Sequence, residues 1–354
     1  MSNATDVTGG MRSLAEEAMR TAISAAEAAI STVLADLISL VDQDEDERQY
    51  EVLSQDPNHA GAAAKTIDAH AQAAARSGAE PGCETLRAKF PQQVKHIAYV
   101  GEESGTQTQI IHPHTLVVRF DPLDGTLNAV NMVSAFGSVA TVDLIVDPSK
   151  PARHLGGAIL GGEIDVAWAQ WSPRGHNPPT KYVRRVGSVF VRSTRLDTGW
   201  RLLEAAQDVR DQWSVASVAA SERRFAAFAK YRELVFANSG RVYHVAGNPL
   251  CPALLLGQVG AFVETQRVTL HDSVFLIPHW LLDGRIETLD SQPFDYISLY
   301  EAKAGIFDPT SKPVPPYVAY VGPNNPFTTE DARPDSPEIR PPDTRSRIFR
   351  TPEE

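Results

Sequence analysis

A strand-like segment and a tight acidic turn follow one another in residues 116–128, which read LVVRFDPLDGTLN. The first part is largely apolar and β-branched and is bounded by turn residues, which predicts a mostly buried strand with Asp121 at its end. Pro122 offers no backbone N–H, and Gly125 lets the backbone pass close to a ligand. Asp121 and Asp124 repel each other on so short a turn unless a cation lies between them. A hard divalent metal ion would supply that cation.

The same residues also fit an ordinary reverse turn, in which Asp, Pro and Gly are common. The functional alternative adds an anion site, because the Thr126 hydroxyl and the backbone N–H groups of Gly125 and Thr126 can point at a phosphate. The turn alone leaves both interpretations open, and its neighbours in the sequence favour the functional one.

Two further stretches place acids directly after or before an apolar segment. Residues 97–104, IAYVGEES, predict a short strand that leads into Glu102 and Glu103, although solvated loop charges are the alternative. Residues 271–277, HDSVFLI, place Asp272 before an apolar segment, where an ordinary helix N-cap is the alternative.

The first part of the chain predicts helices. Apolar residues recur at helical spacing over 11–41, which indicates a long first helix. The polar stretch 42–60 carries an acidic cluster and is predicted to be an exposed loop. An Ala-rich helix follows over 69–76, and Thr66 or Asp68 would be its N-cap.

Composition bounds the class of protein. The chain has 354 residues, of which 42% are hydrophobic, and a net charge of −11. That acidity argues against nucleic acid or an anionic membrane surface as a partner. Two cysteines cannot build a disulfide framework, so we expect a reducing, cytoplasmic location. Glu16 and Glu17 interrupt any secretory h-region, and the uncharged run 242–263 contains too many polar and Pro residues for a membrane helix.

At these acidic stretches the sequence resembles the inositol monophosphatase and fructose-1,6-bisphosphatase superfamily of metal-dependent, lithium-sensitive phosphatases. The family's patterns are Gly-Glu-Glu-Ser, Asp-Pro-(Ile/Leu)-Asp-Gly-(Thr/Ser) and Trp-Asp, and their counterparts occur here in that order, within residues 11–322. His271 replaces the usual Trp, and His244 and Asn248 stand where the family has Arg-x-x-Gly-(Ser/Thr). These departures leave the acidic residues in place and put the identity of the substrate in doubt.

The separate runs of strands and helices indicate an α+β fold. The resemblance implies more, namely the layered αβαβα sandwich of the sugar phosphatase type, with the site between two sheets. We expect residues 1–321 to form a single catalytic domain with two sheet-containing lobes. Residues 322–354 are dense in Pro and charge and are predicted to be a disordered tail.

The resemblance also implies roles for individual residues. Two or three Mg²⁺ ions would be held by Glu102, Asp121, the Leu123 carbonyl, Asp124 and Asp272. The catalytic residues would be Asp68, Thr126 and Glu103. The substrate would be bound by Gly125, Thr126, Asn128, His244 and Asn248. A buried histidine whose ring is satisfied by the protein is the favoured alternative for His244.

The function that the resemblance implies is Mg²⁺-dependent hydrolysis of a small sugar-phosphate or cyclitol-phosphate monoester by metal-activated water. Two alternatives stay open. One is a 3′(2′),5′-bisphosphate nucleotidase of the same superfamily. The other is a catalytically silent phosphosugar-binding protein. Against it, none of the acids to which the resemblance gives a role as metal ligand or in orienting the attacking water is missing, namely Glu102, Asp121, Asp124, Asp272 and Asp68. We expect the protein to bind a small phosphorylated substrate. We also expect it to form a homodimer.

Overall fold

The structure is a computed structural model, and most of the chain is described in it. The described residues are 4–42, 57–101, 111–130, 136–162, 164–171, 187–193, 199–204, 206, 212–218, 222–244, 247–305, 311–322 and 325–327. Glu102 and Glu103 lie outside these residues, as do most of the predicted loop at 42–60 and most of the predicted tail.

The described residues contain seven α-helices and two short 3₁₀ segments. The helices are α1 (Ala4–Asp42), α2 (Pro57–Lys89), α3 (Thr126–Val130), α4 (Glu222–Ala237), α5 (Cys251–Leu255), α6 (Leu276–Leu281) and α7 (Tyr296–Lys303). The 3₁₀ segments are Asn248–Leu250 and His271–Ser273.

The described strands form two sheets. The first has the order β1-β2-β3-β4-β5-β6-β7. Its strands are β1 (His96–Gly101), β2 (Thr115–Asp124), β3 (Gly137–Ile145), β4 (Arg153–Leu160), β5 (Ile164–Gln170), β6 (Gly187–Ser193) and β7 (Arg201–Leu202). The second has the order β11-β12-β10-β8-β9. Its strands are β8 (Ser214–Ser217), β9 (Arg241–His244), β10 (Ala261–Glu264), β11 (Arg285–Thr288) and β12 (Tyr317–Tyr320).

Helices α1 and α2 form an outer layer on the first sheet. The long first helix predicted from the apolar spacing is confirmed, and its small residues Ala18, Ala22, Ala25 and Ala29 are buried against α2 and the sheet. By length and composition the stretch Gly10–Ser39 would suffice to cross a membrane. Its buried face is instead used in packing within this core.

Helix α2 corrects two predictions. It begins at Pro57, so the last residues of the stretch 42–60 are helical and not a loop. Proline is favoured in the first turn of a helix because its missing N–H has no intrahelical partner there. Thr66 and Asp68 therefore lie inside the helix, and neither is its N-cap. Asp68 is thereby carried on a rigid helix next to α3.

The remaining helices form two more layers. Helices α5 and α6 lie between the two sheets, where α5 contacts β5 and α6 contacts both β6 and β11. Helix α4 covers the outer face of the second sheet through β8 and β9. The order helix, sheet, helix, sheet, helix confirms the α+β class and the αβαβα sandwich.

Strand direction brings acidic positions to one region. Strand β1 runs parallel to β2, and its last residue, Gly101, pairs with Phe120, immediately before Asp121. In the second sheet β8, β9 and β10 run parallel, so their last residues, Ser217, His244 and Glu264, lie at the same edge. The carboxyl ends of these strands thus carry two predicted site residues, Asp121 and His244, and the unpredicted acid Glu264.

The first residues of the predicted tail pack on the domain. The Phe327 ring contacts Trp213 and Tyr231 edge-on, with centroids 6.2 and 5.0 Å apart. Asn325 is buried, and its side-chain amide donates to Glu287 at 2.9 Å. The described part of the fold therefore extends to Phe327, beyond the predicted boundary at 321.

A chain truncated after Gly322 should be less stable than one truncated after Phe327. Loss of a fully buried phenyl ring costs about 3–5 kcal/mol, so we expect a loss of roughly 2–3 kcal/mol for this partly buried ring. Urea unfolding of the two chains measures the difference. Phe236→Ala is the control, since that ring is 57% exposed and its removal should have little effect. Equal stabilities of the two truncated chains would contradict the packing role of Phe327.

Candidate active site

Asp121 and Asp124 lie on the last part of β2, where the strand leaves its regular pairing with β3. Asp121 pairs with Val139 and Asp124 with Gly137, and the register shifts between the two acids. The Asp121 side chain is buried, and its Oδ1 accepts a hydrogen bond from the Leu123 N–H at 3.3 Å. A shift of this kind redirects side chains at the end of a strand.

Gly125 closes the turn and starts α3. Its φ is +87°, a conformation that favours glycine over residues with a Cβ. The Gly125 carbonyl accepts from the N–H groups of Asn128 at 2.8 Å and Ala129 at 3.0 Å, which begins the short helix. Asn128 is half-buried at this position. The residues that suggested an ordinary turn do form one, with two aspartates before it and Thr126 after it.

Thr126 and Asp68 are brought together from distant parts of the chain. The Thr126 Oγ1 lies 3.2 Å from Asp68 Oδ1 and 2.9 Å from the Leu123 carbonyl oxygen. A hydroxyl has one proton, so at any moment it donates to only one of these acceptors. The Thr126 oxygen keeps lone pairs that can accept from a third group. Asp68 and Thr126, which the resemblance implied to be catalytic, are therefore in contact.

Asn248 joins the acidic turn of β2 to the segment that carries Asp272. Its backbone N–H donates to Asp124 Oδ2 at 3.1 Å. Its side-chain amide donates to the His271 carbonyl at 2.7 Å, and its Oδ1 accepts from the Phe275 N–H at 2.9 Å. The residue is fully buried, and both polar atoms of its side chain bond to protein. This geometry fits a structural role and not the expected contact with substrate.

Asp272 lies in the 3₁₀ segment and is held by Thr269. The Thr269 hydroxyl donates to Asp272 Oδ2 at 2.9 Å, and the Asp272 carboxylate stays 41% exposed. No side-chain capping bond is made at the N-terminus of this segment or of α6. The N-cap interpretation of Asp272 is therefore wrong, and its carboxylate faces the site with an accessible surface.

His244 is the predicted residue whose environment differs most from expectation. It is exposed at the end of β9, beside the rings of Phe225 and Phe228. Partial burial lowers the pKa of its imidazole, and the nearby Arg232 charge acts in the same direction. The interpretation of His244 as a buried histidine is wrong. Its exposure leaves a contact with substrate open.

Sequence reasoning missed a buried acid, Glu264, at the end of β10. Burial raises the pKa of this carboxyl, Arg224 opposes the shift from 3.9 Å, and the Asp272 charge adds to it. An acid that ends the short apolar run 261–263 is the same signal that singled out Asp121. Glu264 therefore lies near Asp272, at the carboxyl end of β10.

The donor set suits a hard divalent cation. The oxygen donors are the Asp121, Asp124 and Asp272 carboxylates and the Leu123 carbonyl, and Mg²⁺ prefers such ligands. Within the described part of the chain, no group of three or more His, Cys, Asp or Glu side chains is arranged to hold a metal ion. Glu102, which the resemblance names as a further ligand, lies outside that part. The residues present fit magnesium by their chemistry.

Comparisons with known proteins give structural likenesses only. No protein-family model and no curated protein sequence matches this chain. An extragenic suppressor protein suhB from Bartonella henselae is similar at 12% identity over 85% of this chain and 93% of that chain, with a TM-score of 0.44. An inositol monophosphatase from Zymomonas mobilis is similar at 16% identity over 86% and 92%, with a TM-score of 0.46. An inositol monophosphatase from Anabaena is similar at 18% identity over 85% and 88%, with a TM-score of 0.44. Likenesses this distant do not decide the activity or the substrate of this chain.

Asn248→Ala should destabilise the protein by about 2–4 kcal/mol, because it leaves the buried His271 carbonyl and Phe275 N–H without a partner, and each such group costs about 1–3 kcal/mol. Urea unfolding measures the loss. Asn238→Ala is the matched control, since its side chain donates one bond, to the Leu234 carbonyl at 2.9 Å, from a half-buried position. If both variants lost the same small amount, Asn248 would not be the link between the two acidic segments.

Proposed function

We propose that this protein is a divalent-metal-dependent phosphatase that hydrolyses a small sugar-phosphate or cyclitol-phosphate monoester. One observation carries the proposal: a single turn presents Asp121, Asp124 and Thr126, and it contacts Asp68 from α2 and, through Asn248, the segment of Asp272. Carboxylates brought close together from separate elements repel one another, and bound cations would relieve that repulsion.

Mg²⁺ would be held by Asp121, the Leu123 carbonyl, Asp124 and Asp272, with Glu102 as a further ligand. When bound, such ions would neutralise charge on the phosphoryl group and activate water for an in-line displacement. The hydrolysis joins a water oxygen to phosphorus and breaks the bond from phosphorus to the ester oxygen, which leaves as the alcohol after it gains a proton.

Thr126 and Asp68 would orient the attacking water. When the Thr126 hydroxyl donates to Asp68 Oδ1, the lone pairs of its oxygen can accept a hydrogen bond from the water. That bond turns the water's own lone pair towards phosphorus, and Asp68 keeps the hydroxyl in this orientation. Glu103 would assist as a second acceptor. The backbone N–H groups of Gly125 and Thr126 would bind phosphate oxygens.

The substrate class is proposed from the motifs of the acidic turn. The Leu123-Asp124 pair matches the sequence motif of the fructose-bisphosphatase branch, and Gly125-Thr126 matches that of the inositol-phosphatase branch. Both branches act on hydroxyl-rich rings. Asn128 and the exposed His244 are the side chains proposed to contact the ring. The homodimer and the cytoplasmic location stay predictions.

The catalytically silent alternative keeps the same site without turnover. It requires that a group needed for the reaction be missing. Asp121, Asp124, Asp272, Asp68 and Thr126 are all present in the sequence. We therefore favour the enzyme.

Removal of divalent metal should abolish activity, because the converging carboxylates need cations to bind an anionic substrate. The measurement is phosphate release from fructose 1,6-bisphosphate, a hexose monophosphate, inositol 1-phosphate and adenosine 3′,5′-bisphosphate, each with Mg²⁺ and with excess chelator. Added lithium should inhibit.

Three outcomes of that panel separate the hypotheses. Full turnover in chelator would contradict the metal proposal. A preference for the nucleotide of tenfold or more in kcat/KM, about 1.4 kcal/mol, would favour the nucleotidase instead. Metal-dependent binding of an ester without phosphate release would identify a silent binding protein.

Thr126→Ala should lower kcat by about 10²-fold or more, since a group that orients and assists proton transfer is typically worth 10²–10⁴. KM should change less, because the metal ligands remain. Thr126→Ser is the matched control and should keep most of the activity, since it retains the hydroxyl. A Ser variant as slow as the Ala variant would show that the methyl group and not the hydroxyl is needed.

A further inference from the structure

A buried polar network lies beneath the candidate site, in the layer between the two sheets. The Asp143 carboxylate is fully buried and accepts two hydrogen bonds, from Tyr300 at 3.0 Å and from His154 Nδ1 at 2.7 Å. The Trp168 Nε1–H, which can only donate, points at His154 Nε2 at 2.8 Å. The imidazole proton is therefore on Nδ1, and the ring is neutral.

Arg119 supplies the positive charge in this network. Its guanidinium is buried, and Nη2 donates to the Ala304 carbonyl at 2.8 Å, at the C-terminal end of α7. A cation is favourable there because it complements the helix dipole. Arg119 pairs with Thr141 across β2 and β3 and shares a strand face with Asp121, two residues on. The network therefore begins directly beneath the acidic turn.

Tyr300 ties α7 to the first sheet. Its hydroxyl donates to Asp143, so the Thr141 hydroxyl, 2.8 Å away, donates to it. Burial and the Asp143 charge raise the pKa of Tyr300 well above its usual value. The phenol keeps its proton and remains a donor. Thr141 pairs with Arg119 of β2, two residues before Asp121, so Tyr300 contacts the first sheet at that point.

Tyr296 ties the same helix to the segment of Asp272. Its hydroxyl lies 3.0 Å from Ser273 Oγ, which itself donates to the Thr269 carbonyl at 2.8 Å. The serine proton is used there, so Tyr296 is the donor. Burial raises the pKa of Tyr296 as well. Thr269 in turn holds the Asp272 carboxylate at 2.9 Å.

The two phenols lie one turn apart on α7, on the same face of the helix. One contacts Thr141 and Asp143 on β3, where Thr141 pairs with Arg119 of β2, and the other contacts the 269–273 segment beside Asp272. We propose that Tyr296 and Tyr300 are positioning residues, which use α7 to fix the 269–273 segment relative to β2 and so hold Asp272 and Asp121 at one separation. The consequence for metal binding rests on the proposed function, whereas the tie itself does not.

The test uses Tyr296→Phe, which removes one hydroxyl and keeps the packed ring. Hydrogen–deuterium exchange on the metal-free protein should show faster exchange over 269–275 by about three- to tenfold, the factor to which one hydrogen bond of ordinary net strength corresponds. Titration with Mn²⁺ should show weaker binding by a similar factor. Tyr300→Phe should have the same effects with a larger loss of stability, because Asp143 loses a donor.

Tyr320→Phe is the matched control. This phenol is also buried and donates to a carboxylate, Glu287, at 2.6 Å, but on strand β12 of the second sheet. It should leave exchange at 269–275 and Mn²⁺ binding unchanged. Unchanged exchange in Tyr296→Phe, or an equal increase in Tyr320→Phe, would overturn the proposal. Absence of Mn²⁺ binding and of phosphatase activity in the wild type would refute the proposed function, and the exchange data would still decide the tie.

Discussion

The burial of strand β2 is the constraint on which the rest of this structure depends. One face is covered by α1 and α2 and the other by the middle helices, yet the strand carries Arg119 and Asp121. An isolated charge in such surroundings costs several kcal/mol after relaxation, so each must find a partner. For Arg119 the partner is the Ala304 carbonyl, to which Nη2 donates at 2.8 Å. For Asp121 the Leu123 N–H is one partner, and a bound cation would be the stronger one.

That constraint accounts for the polar residues in an otherwise apolar middle layer. The fully buried Asp143 carboxylate accepts hydrogen bonds from Tyr300 and His154. The donor from Trp168 fixes the tautomer of His154 and leaves no polar atom of the imidazole without a bond. The Asp143, His154, Trp168 and Tyr300 side chains are all hydrogen-bonded, and such bonding favours one arrangement of the layer, although Arg119 Nε is buried without a partner.

Residues whose environment is set by their near neighbours in sequence could be predicted, and residues set by distant contacts could not. The apolar run before Asp121 and the alanine spacing of α1 each determine an element locally. The start of helix α2 was predicted too late, because Thr66 and Asp68 are residues that favour the N-cap position. Pro57 is equally suited to start a helix, and the helix begins there. Phe327 lies in a stretch whose composition indicates disorder, and only Trp213 and Tyr231, far away in sequence, explain why it packs.

The same distinction applies to the site. The acids at the ends of β1 and β2 are visible as motifs, because a charged residue directly after an apolar run is a local signal. The functions of Asn248, Tyr296 and Tyr300 depend on partners more than a hundred residues away, or on the 269–275 segment folded against them. Glu264 had a local signal like that of Asp121, because it also ends an apolar run. No Pro or Gly turn residues follow it directly, so the sequence did not indicate a site there.

Asn248 shows how a departure from a motif can be explained by structure. Where the resembling family has Ser or Thr, this chain has a side chain with both a donor and an acceptor, and the buried segment 271–275 offers one carbonyl and one N–H to match them. A Ser or Thr hydroxyl can also donate once and accept once, but its side chain is shorter, whereas the Asn248 amide reaches both backbone groups. The amide thus fits the backbone of this particular segment, and the departure changes the support of Asp124 and Asp272 while leaving their carboxylates in place. Selectivity for substrate must then come from side chains that remain accessible, since the Asn248 amide is fully buried and bonded to the protein.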